Sequence, residues 1–437
     1  MLRFVLIPDG DMPIGALRIA LINYIVAKQR NEGFILRVED TDKARNIEGK
    51  DEETKQILEK FAIQSDQVIH QSEQLGRYQQ LAVKLVEGGK AFLCICSEED
   101  LERERRRAEE EKRPYRYSGR CTTMDSEEIR RIKEERIPFT IRIRKPAEAV
   151  TFDDTVRGEI RTDPGEVDHC VILRADGTPT QSFASACDDM MEGVSMVIRE
   201  EDQLPETAKE IHIQRSLGYE SGTVYAHLSP LLNEEGKKIS KKDTAYTVKE
   251  LMEEGFLPDA IINALLLPNT DTPEEIFTLP QAIERFDLKR FSSPARFDIE
   301  SLRRLNREHL KRMDDLTLSR IFRFADAEVG RLVKLYLEEA ATIKELDQRI
   351  HAVFSPKKCE GKWAEEMRIL SALILEAPYF RKFDAFYKYL AKHSGLEGRR
   401  LQKSLRLLLT GTEEGPELNE IYPLIKSYIT EIVRCQH

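Results

Sequence analysis

The sequence has few of the features of an exported or membrane protein. No stretch of its 437 residues approaches the ~18 apolar residues that cross a bilayer. The N-terminal MLRF lacks the basic, apolar and small-residue pattern of a signal peptide. The seven cysteines are odd in number and mostly scattered, which favours a reducing compartment over a disulfide framework. We therefore expect a cytoplasmic protein that makes no contact with a membrane.

An excess of positive charge is also lacking, because the chain carries a net charge of −10. This charge argues against a protein that coats nucleic acid. The distribution is uneven, since residues 291–437 hold 26 Lys and Arg against 22 Asp and Glu. A basic C-terminal part permits local contact with nucleic acid, but it fits helices with solvated charged faces equally well.

The first 40 residues predict a β-strand, an α-helix and a second β-strand. Residues 3–7 are a short apolar run, apolar residues recur at helical spacing over 14–29, and GFILRVED at 33–40 is a second run. A βαβ unit implies a parallel sheet that binds ligands at the carboxyl ends of its strands. The loop at 8–13 occupies such an end, where a nucleotide phosphate would bind, but it contains Pro8, Asp9, Asp11 and Pro13 in place of hydroxyls or lysines.

The rest of the chain predicts a second half of the α/β fold, an insertion and a helical part. A length of 437 residues allows roughly two to four domains. Residues from about 70 to 190 interrupt the α/β rhythm with strands such as PFTIRIR and HCVILR. The rhythm resumes with the strand VSMVIREED, and a lysine-rich loop, EEGKKISKKD, follows. From about residue 291 onward the apolar spacing is helical almost throughout, with Trp363 in the predicted core.

In this order, RVEDTD, ILRADGTPT, VIREED and KISKK resemble the bacterial glutamyl-tRNA synthetases, which are class I aminoacyl-tRNA synthetases, and the length resembles their shorter, second-copy type. The resemblance implies a Rossmann-type catalytic region with an α+β insertion, followed by an all-α anticodon-binding domain. The implied catalytic region covers residues 1–290, and the implied helical domain covers 291–437. Within the catalytic region, the two Rossmann halves lie at about 1–70 and 190–245, the acceptor-stem insertion at about 71–190 and a stem-contact region at about 245–290.

Such an enzyme activates L-glutamate with ATP and Mg²⁺ to glutamyl-adenylate and then esterifies the 3′ end of a tRNA. No protein nucleophile is involved, so catalysis depends on positioning and on stabilising charge at the α-phosphate. The family suggests a monomer. The sequence leaves open whether tRNA(Glu), tRNA(Gln) or both are charged.

The resemblance also implies roles for individual residues. KISKK at 238–242 matches the KMSKS loop, whose lysines, here Lys238 and Lys241, neutralise the departing pyrophosphate; the alternative is an ordinary lysine-rich surface loop. Glu39 matches the acid that holds the amino group of the substrate, and Arg199 matches the arginine that pairs with its side-chain carboxylate. The alternative for these two is a structural ion pair between strand ends. Arg3 and Gln181 match two further positions of the glutamate pocket, and Asp202 matches a position that contacts ATP.

The HIGH signature of the family is altered. PIGA at 13–16 stands in its place, so Pro13 replaces a histidine. Of the four positions of the signature, only Ile14 and Gly15 keep the family's residue, and the resemblance assigns both to ATP binding. Gly15 is also assigned to catalysis. Asp9 stands where a phosphate neighbour should be neutral, and Glu200 adds a second carboxylate to the pocket. Two alternatives follow: a catalytically impaired tRNA-binding or scaffold protein, and a paralogue that glutamylates another acceptor.

Three cysteines in the predicted insertion resemble the zinc knuckle of some family members. Cys94 and Cys96 are followed by Cys121, and the fourth ligand by this resemblance is Tyr117. The alternative is three free cysteines. Three histidines show no ligand spacing to one another and are predicted to be packing or surface residues: His169, His212 and His227.

Overall fold

The computed structural model describes residues 1–220, 222–239, 243–270 and 275–436. These residues form two compact units. Within the described residues, the first unit contains 1–249, 265–270 and 277–297, and the second contains 250–264, 275–276 and 298–436.

The strands are β1 (Leu2–Leu6), β2 (Phe34–Val38), β3 (Gln67–His70), β4 (Ala91–Cys94), β5 (Thr140–Ile143), β6 (Val150–Asp154), β7 (Gly158–Thr162), β8 (Val171–Leu173), β9 (Met196–Glu200), β10 (Val224–Leu228), β11 (Leu231–Leu232), β12 (Ala295–Arg296), β13 (Lys357–Lys358) and β14 (Cys435–Gln436). The helices are α1 (Ile14–Gln29), α2 (Lys50–Lys60), α3 (Leu75–Glu87), α4 (Glu98–Glu110), α5 (Ser126–Glu134), α6 (Gln181–Met191), α7 (Leu204–Ser216), α8 (Val248–Glu253), α9 (Pro258–Leu266), α10 (Leu279–Arg285), α11 (Ile299–Arg312), α12 (Asp315–Ile321), α13 (Ala327–Leu335), α14 (Ile343–Phe354), α15 (Ala364–Leu375), α16 (Phe383–Ser394), α17 (Gly398–Thr410), α18 (Leu418–Ile425) and α19 (Ile429–Ile432).

The first unit is built around parallel strands. The strands β1, β2 and β3 pair in that order, and β9 pairs with β10 in a second sheet. The strand β9 lies beside β1, where the backbone N–H of Ser195 donates to the carbonyl of Met1 at 2.9 Å. The resulting order, β3-β2-β1-β9-β10, is that of a doubly wound nucleotide-binding fold, so the predicted α/β class is confirmed. The apolar runs of β1 and β2 are buried because helices such as α1 cover the sheet.

The insertion has its own small antiparallel sheet, in the order β4-β5-β8. The helices α3 and α6 pack on it and share its apolar core, which includes Tyr78, Ile143 and Phe183. The segment forms a separate α+β layer, which explains why the alternation of strands and helices in the sequence is interrupted there.

The second unit is helical, as the apolar spacing predicts, and its buried core is assembled from α11 to α19. Its first helical segment comes from residues 250–264, where the backbone N–H of Leu257 donates to Asn306 Oδ1 at 2.8 Å and that of Ile343 donates to the carbonyl of Gly255 at 3.1 Å. The division of the chain therefore differs from the predicted boundary at residue 290, because this segment packs with the helices that follow it.

Two of the seven cysteines are joined in the second unit, where the short strands β13 and β14 pair in parallel. Their pairing places the Cα atoms of Cys359 and Cys435 5.6 Å apart, and a disulfide links them. The sequence did not predict this single link, because its two cysteines are 76 positions apart; the other five cysteines are free. In the described part of the chain, no helix combines the length and apolar character of a membrane span.

Candidate functional site

A cavity of about 460 Å³ opens in the first unit, at the carboxyl ends of β1, β2 and β9. The first turns of α1 and α6 complete its wall. Most of the residues predicted for the site line this cavity: Arg3, Gly15, Glu39, Gln181, Arg199, Asp202 and Lys238. Ile14 is fully buried at the first position of α1. Lys241 lies outside the described residues.

Glu39 and Gln181 meet inside the cavity, where Gln181 Nε2 donates to Glu39 Oε2 at 2.7 Å. Only 8% of Glu39 is exposed, and burial raises the pKa of its carboxyl although Arg37 and Gln181 act in the opposite direction. A buried carboxylate is stabilised by a cationic ligand, such as an ammonium group. Among the described residues the carboxylate paired with Arg199 is that of Glu210, and no ion pair joins Glu39 to Arg199.

Arg199 is held from three sides. Its Nη1 and Nη2 donate to the two carboxylate oxygens of Glu210, at 3.1 and 2.8 Å. Its Nη2 also donates to Thr207 Oγ1 at 2.7 Å, and its Nε donates to His227 Nε2 at 3.3 Å. Behind them, Asp154 Oδ2 lies 2.6 Å from His227 Nδ1. The guanidinium group therefore faces the cavity in a fixed orientation.

Arg3 lines the cavity but is held from behind by a buried carboxylate. Its Nε and Nη2 donate to Asp189 Oδ1 and Oδ2, at 3.1 and 3.3 Å, and Arg37 Nη1 donates to Asp189 Oδ1 at 2.6 Å. All three side chains are at most 4% exposed. Burial alone would raise the pKa of Asp189, but the two arginines hold it well below its ordinary value. This network fixes β1, β2 and α6 beneath the cavity.

The loop before α1 carries acids that are paired. Arg45 Nη2 donates to Asp9 Oδ2 at 2.7 Å, and Lys50 Nζ donates to Asp11 Oδ1 at 2.5 Å. The hydrogen bond from Lys50 lowers the pKa of Asp11. Pro13 precedes the helix in an extended conformation, with φ −73° and ψ 154°, and supplies no side-chain cap. The charge of Asp9, which the sequence sets against a phosphate, is therefore offset by a neighbouring cation.

Lys238, the first lysine of KISKK, reaches the cavity. Its Nζ lies 2.5 Å from Glu200 Oε2 and 2.6 Å from Asp202 Oδ2. Burial lowers the pKa of Lys238, but these two carboxylates outweigh it and raise the pKa overall. The Glu200 carboxylate lies against the first turn of α1, since a Cβ on Gly15 would be 3.4 Å from Glu200 Oε1. The added carboxylate at position 200 is thus paired with a lysine.

The three cysteines of the insertion come together with the predicted tyrosine. The sulfur atoms of Cys94, Cys96 and Cys121 all lie within 4.8 Å of one another, with 3.6 Å between Cys96 Sγ and Cys121 Sγ. The hydroxyl of Tyr117 is 3.5 Å from Cys94 Sγ and 3.5 Å from Cys96 Sγ. Ligand atoms around a tetrahedral zinc with Zn–S of about 2.3 Å lie roughly 3.7 Å apart. The three sulfur atoms and the tyrosine hydroxyl therefore lie close enough together to surround one metal ion.

Sequence reasoning missed the residues that hold the predicted ones in place: Arg45, Lys50, Asp154, Asp189, Thr207, Glu210 and, as a partner of Arg199, His227. One signal was available for two of them. Thr207 and Glu210 lie three positions apart on α7, one turn of a helix, and both are polar on its buried face. Buried polar residues at such spacing need polar partners.

Comparison with known proteins gives the same family by sequence and by structure. The family described as tRNA synthetases class I (E and Q), catalytic domain, matches residues 1–304. The chain is 56% identical to the glutamate–tRNA ligase 2 of Sulfurovum sp. over 433 residues, which cover 99% of this chain and 100% of that one. It is 49% identical over 435 residues to the glutamate–tRNA ligase 1 of Nitratiruptor sp., with the same coverage. A crystal structure of a glutamate tRNA ligase from Elizabethkingia meningosepticum, in complex with its amino acid, has a TM-score of 0.82 at 26% identity and covers 99% of this chain and 97% of that chain.

Proposed function

We propose that this chain, which belongs to the class I tRNA synthetases for glutamate and glutamine, is a glutamate–tRNA ligase. It activates L-glutamate with ATP and transfers the glutamyl group to the 3′ end of tRNA(Glu), tRNA(Gln) or both, acting as a monomer. The observation that carries the proposal is the cavity that brings Glu39, Arg199 and Lys238 together at the carboxyl ends of parallel strands.

Glutamate binds between Glu39 and Arg199 in this proposal. The buried carboxylate of Glu39, oriented by Gln181, holds the α-ammonium group, and the guanidinium of Arg199 holds the side-chain carboxylate. Arg3 supports the pocket floor through Asp189. Because both ends of the substrate are fixed, its α-carboxylate is directed toward the nucleotide side of the cavity, where activation occurs.

ATP binds at the first turn of α1, where the backbone amides near Ile14 and Gly15 and the helix dipole favour phosphate. Asp202 lines this side of the cavity, and Lys238 with Lys241 neutralises the departing pyrophosphate. Mg²⁺ is usually held by substrate phosphates and one or two carboxylates. Glu200 and Asp202, which line the cavity, would be its protein ligands here, and the ion would neutralise phosphate charge.

ATP–pyrophosphate exchange with glutamate and tRNA tests this function. We expect exchange well above background for the wild-type chain, and loss of exchange for Glu39→Gln, because the ammonium group of glutamate loses its carboxylate partner. Background exchange by the wild-type chain, with tRNA still retained in filter binding, would instead support the tRNA-binding or scaffold alternative. In that case recovery in a Pro13→His/Asp9→Thr variant would place the defect in the loop before α1.

We propose further that Cys94, Cys96, Tyr117 and Cys121 hold one structural Zn²⁺. Purified protein is expected to contain about one equivalent of zinc by elemental analysis, and Cys96→Ser to contain far less, because a tetrahedral structural site needs all its ligands. The matched control is Cys170→Ser, since Cys170 is also a free, partly buried cysteine of the insertion but stands outside the cluster. Zinc well below one equivalent in the wild-type chain would contradict the proposal.

A further inference from the structure

Most N–H groups of Arg199 already donate to protein acceptors, so few are available to a ligand. An arginine side chain has five N–H groups. Two of those of Arg199 donate to Glu210, one donates to Thr207 and one donates to His227. One N–H of Nη1 remains for an incoming carboxylate. A bidentate contact needs two parallel N–H groups, so it is unavailable to a ligand while Glu210 stays in place.

The guanidinium cannot readily turn away from Glu210. Asp154 Oδ2 accepts from the backbone N–H of His227 at 2.9 Å and lies 2.6 Å from its Nδ1. With its proton on Nδ1, His227 presents Nε2 as an acceptor to Arg199, and burial lowers the pKa of this imidazole so that it stays neutral. Thr207 holds Nη2 at 2.7 Å. A change in the pairing must therefore come from Glu210.

Glu210 itself faces the cavity and presents the same chemical group as the substrate side chain. Its carboxylate is 5% exposed and lies among the lining residues. We propose that Glu210 is a built-in competitor: a positioning residue that pairs with the guanidinium of Arg199 and must give up at least part of it to the side-chain carboxylate of glutamate. This inference rests on the proposed function, and it names Glu210 as the residue that sets the affinity for glutamate.

The test is Glu210→Gln, which keeps the shape and one acceptor oxygen but removes the competing charge. We expect the KM for glutamate in ATP–pyrophosphate exchange to fall about tenfold, equivalent to about 1.4 kcal/mol. The dissociation constant of glutamate in calorimetry is expected to fall by a similar factor. The kcat and the KM for ATP are expected to stay within about twofold, because Glu210 meets the substrate only through Arg199.

Glu206→Gln is the matched control. Glu206 lines the same cavity, but its carboxylate accepts from Ser182 Oγ and Lys209 Nζ, both at 2.6 Å. The variant removes one negative charge from the cavity without changing a ligand of Arg199, and we expect it to change the KM for glutamate by less than about twofold. Equal effects of the two variants would reduce the inference to a general charge effect and overturn it.

The sign of the change separates competition from support. A higher KM for glutamate in Glu210→Gln would make Glu210 a structural prop of Arg199 and overturn the proposal, as would an unchanged KM. If Glu210→Gln does not fold, Glu210→Asp shortens the competing side chain and is expected to lower the KM to a smaller extent. Should the wild-type chain lack exchange, the proposed function fails, and calorimetric binding of glutamate to both proteins still decides the role of Glu210.

Discussion

Arg199→Gln is expected to raise the KM for glutamate about a hundredfold or more, with the KM for ATP within about threefold of the wild-type value. The variant removes the cation that faces the side-chain carboxylate of the substrate, and hydrogen bonds to charged groups contribute about 1.5–3 kcal/mol each. Two such interactions, which form once Glu210 gives up its part of the guanidinium, correspond to at least two powers of ten in affinity. Steady-state ATP–pyrophosphate exchange with varied glutamate and varied ATP measures both constants.

A second variant separates binding from stability. Removing Arg199 alone leaves the buried carboxylate of Glu210 without its main partner, which destabilises a protein in its own right. The double variant Arg199→Gln/Glu210→Gln removes both charges and is expected to recover thermal stability while glutamate binding stays weak. If the double variant restored the wild-type KM, Arg199 would be a support for Glu210 and not a ligand of the substrate.

Local patterns in the sequence were sufficient for the frame of the first unit. The apolar runs and helical spacing of the first 40 residues predicted β1, α1 and β2, because these elements follow one another directly and bury continuous apolar faces. Local patterns did not select Glu39 and Arg199; the resemblance to the synthetase family assigned them to the glutamate pocket, and both line one cavity in the structure. The cysteine cluster was equally accessible, since its members lie within 28 residues of one another.

Pairing between distant segments could not be predicted in this way. Arg3 and Asp189 are 186 positions apart, and Asp9 meets Arg45 across 36 positions. The sequence predicts that Asp9 is an unfavourable neighbour for phosphate, but a single sequence does not show which cation the fold will place beside it. Asp9, which the sequence presents as an unpaired negative charge, therefore forms an ion pair with Arg45 in the folded protein.

The second large effect is a loss of stability, expected on substitution of Asp189 beneath the cavity. Asp189→Asn is expected to destabilise the first unit by about 3–5 kcal/mol, because Arg3 and Arg37 stay buried after their shared carboxylate is removed. The pKa of Asp189 lies below its ordinary value in the folded chain, so its ionised form stabilises the unit at neutral pH, and this contribution is lost only as the pH falls through the folded-state value. Hydrogen exchange at pH 7, read by mass spectrometry, is expected to lose protection in β1 and β2 while the second unit is unchanged.

The neighbouring Asp188 provides the control on the same helix. It accepts hydrogen bonds from Gln71 Nε2 and Tyr78 OH, both at 2.7 Å, and burial raises the pKa of its carboxyl, so its ionisation at neutral pH opposes folding. Asp188→Asn removes the same charge from α6 but only a longer contact with Arg37, whose Nε is 3.9 Å from Asp188 Oδ2, and it is expected to cost about 1–3 kcal/mol, the penalty of one buried donor left without an acceptor. Equal loss of protection in both variants would show that α6 tolerates neither substitution for steric reasons, and the buried ion pairs of Asp189 would then not be what stabilises the floor of the cavity.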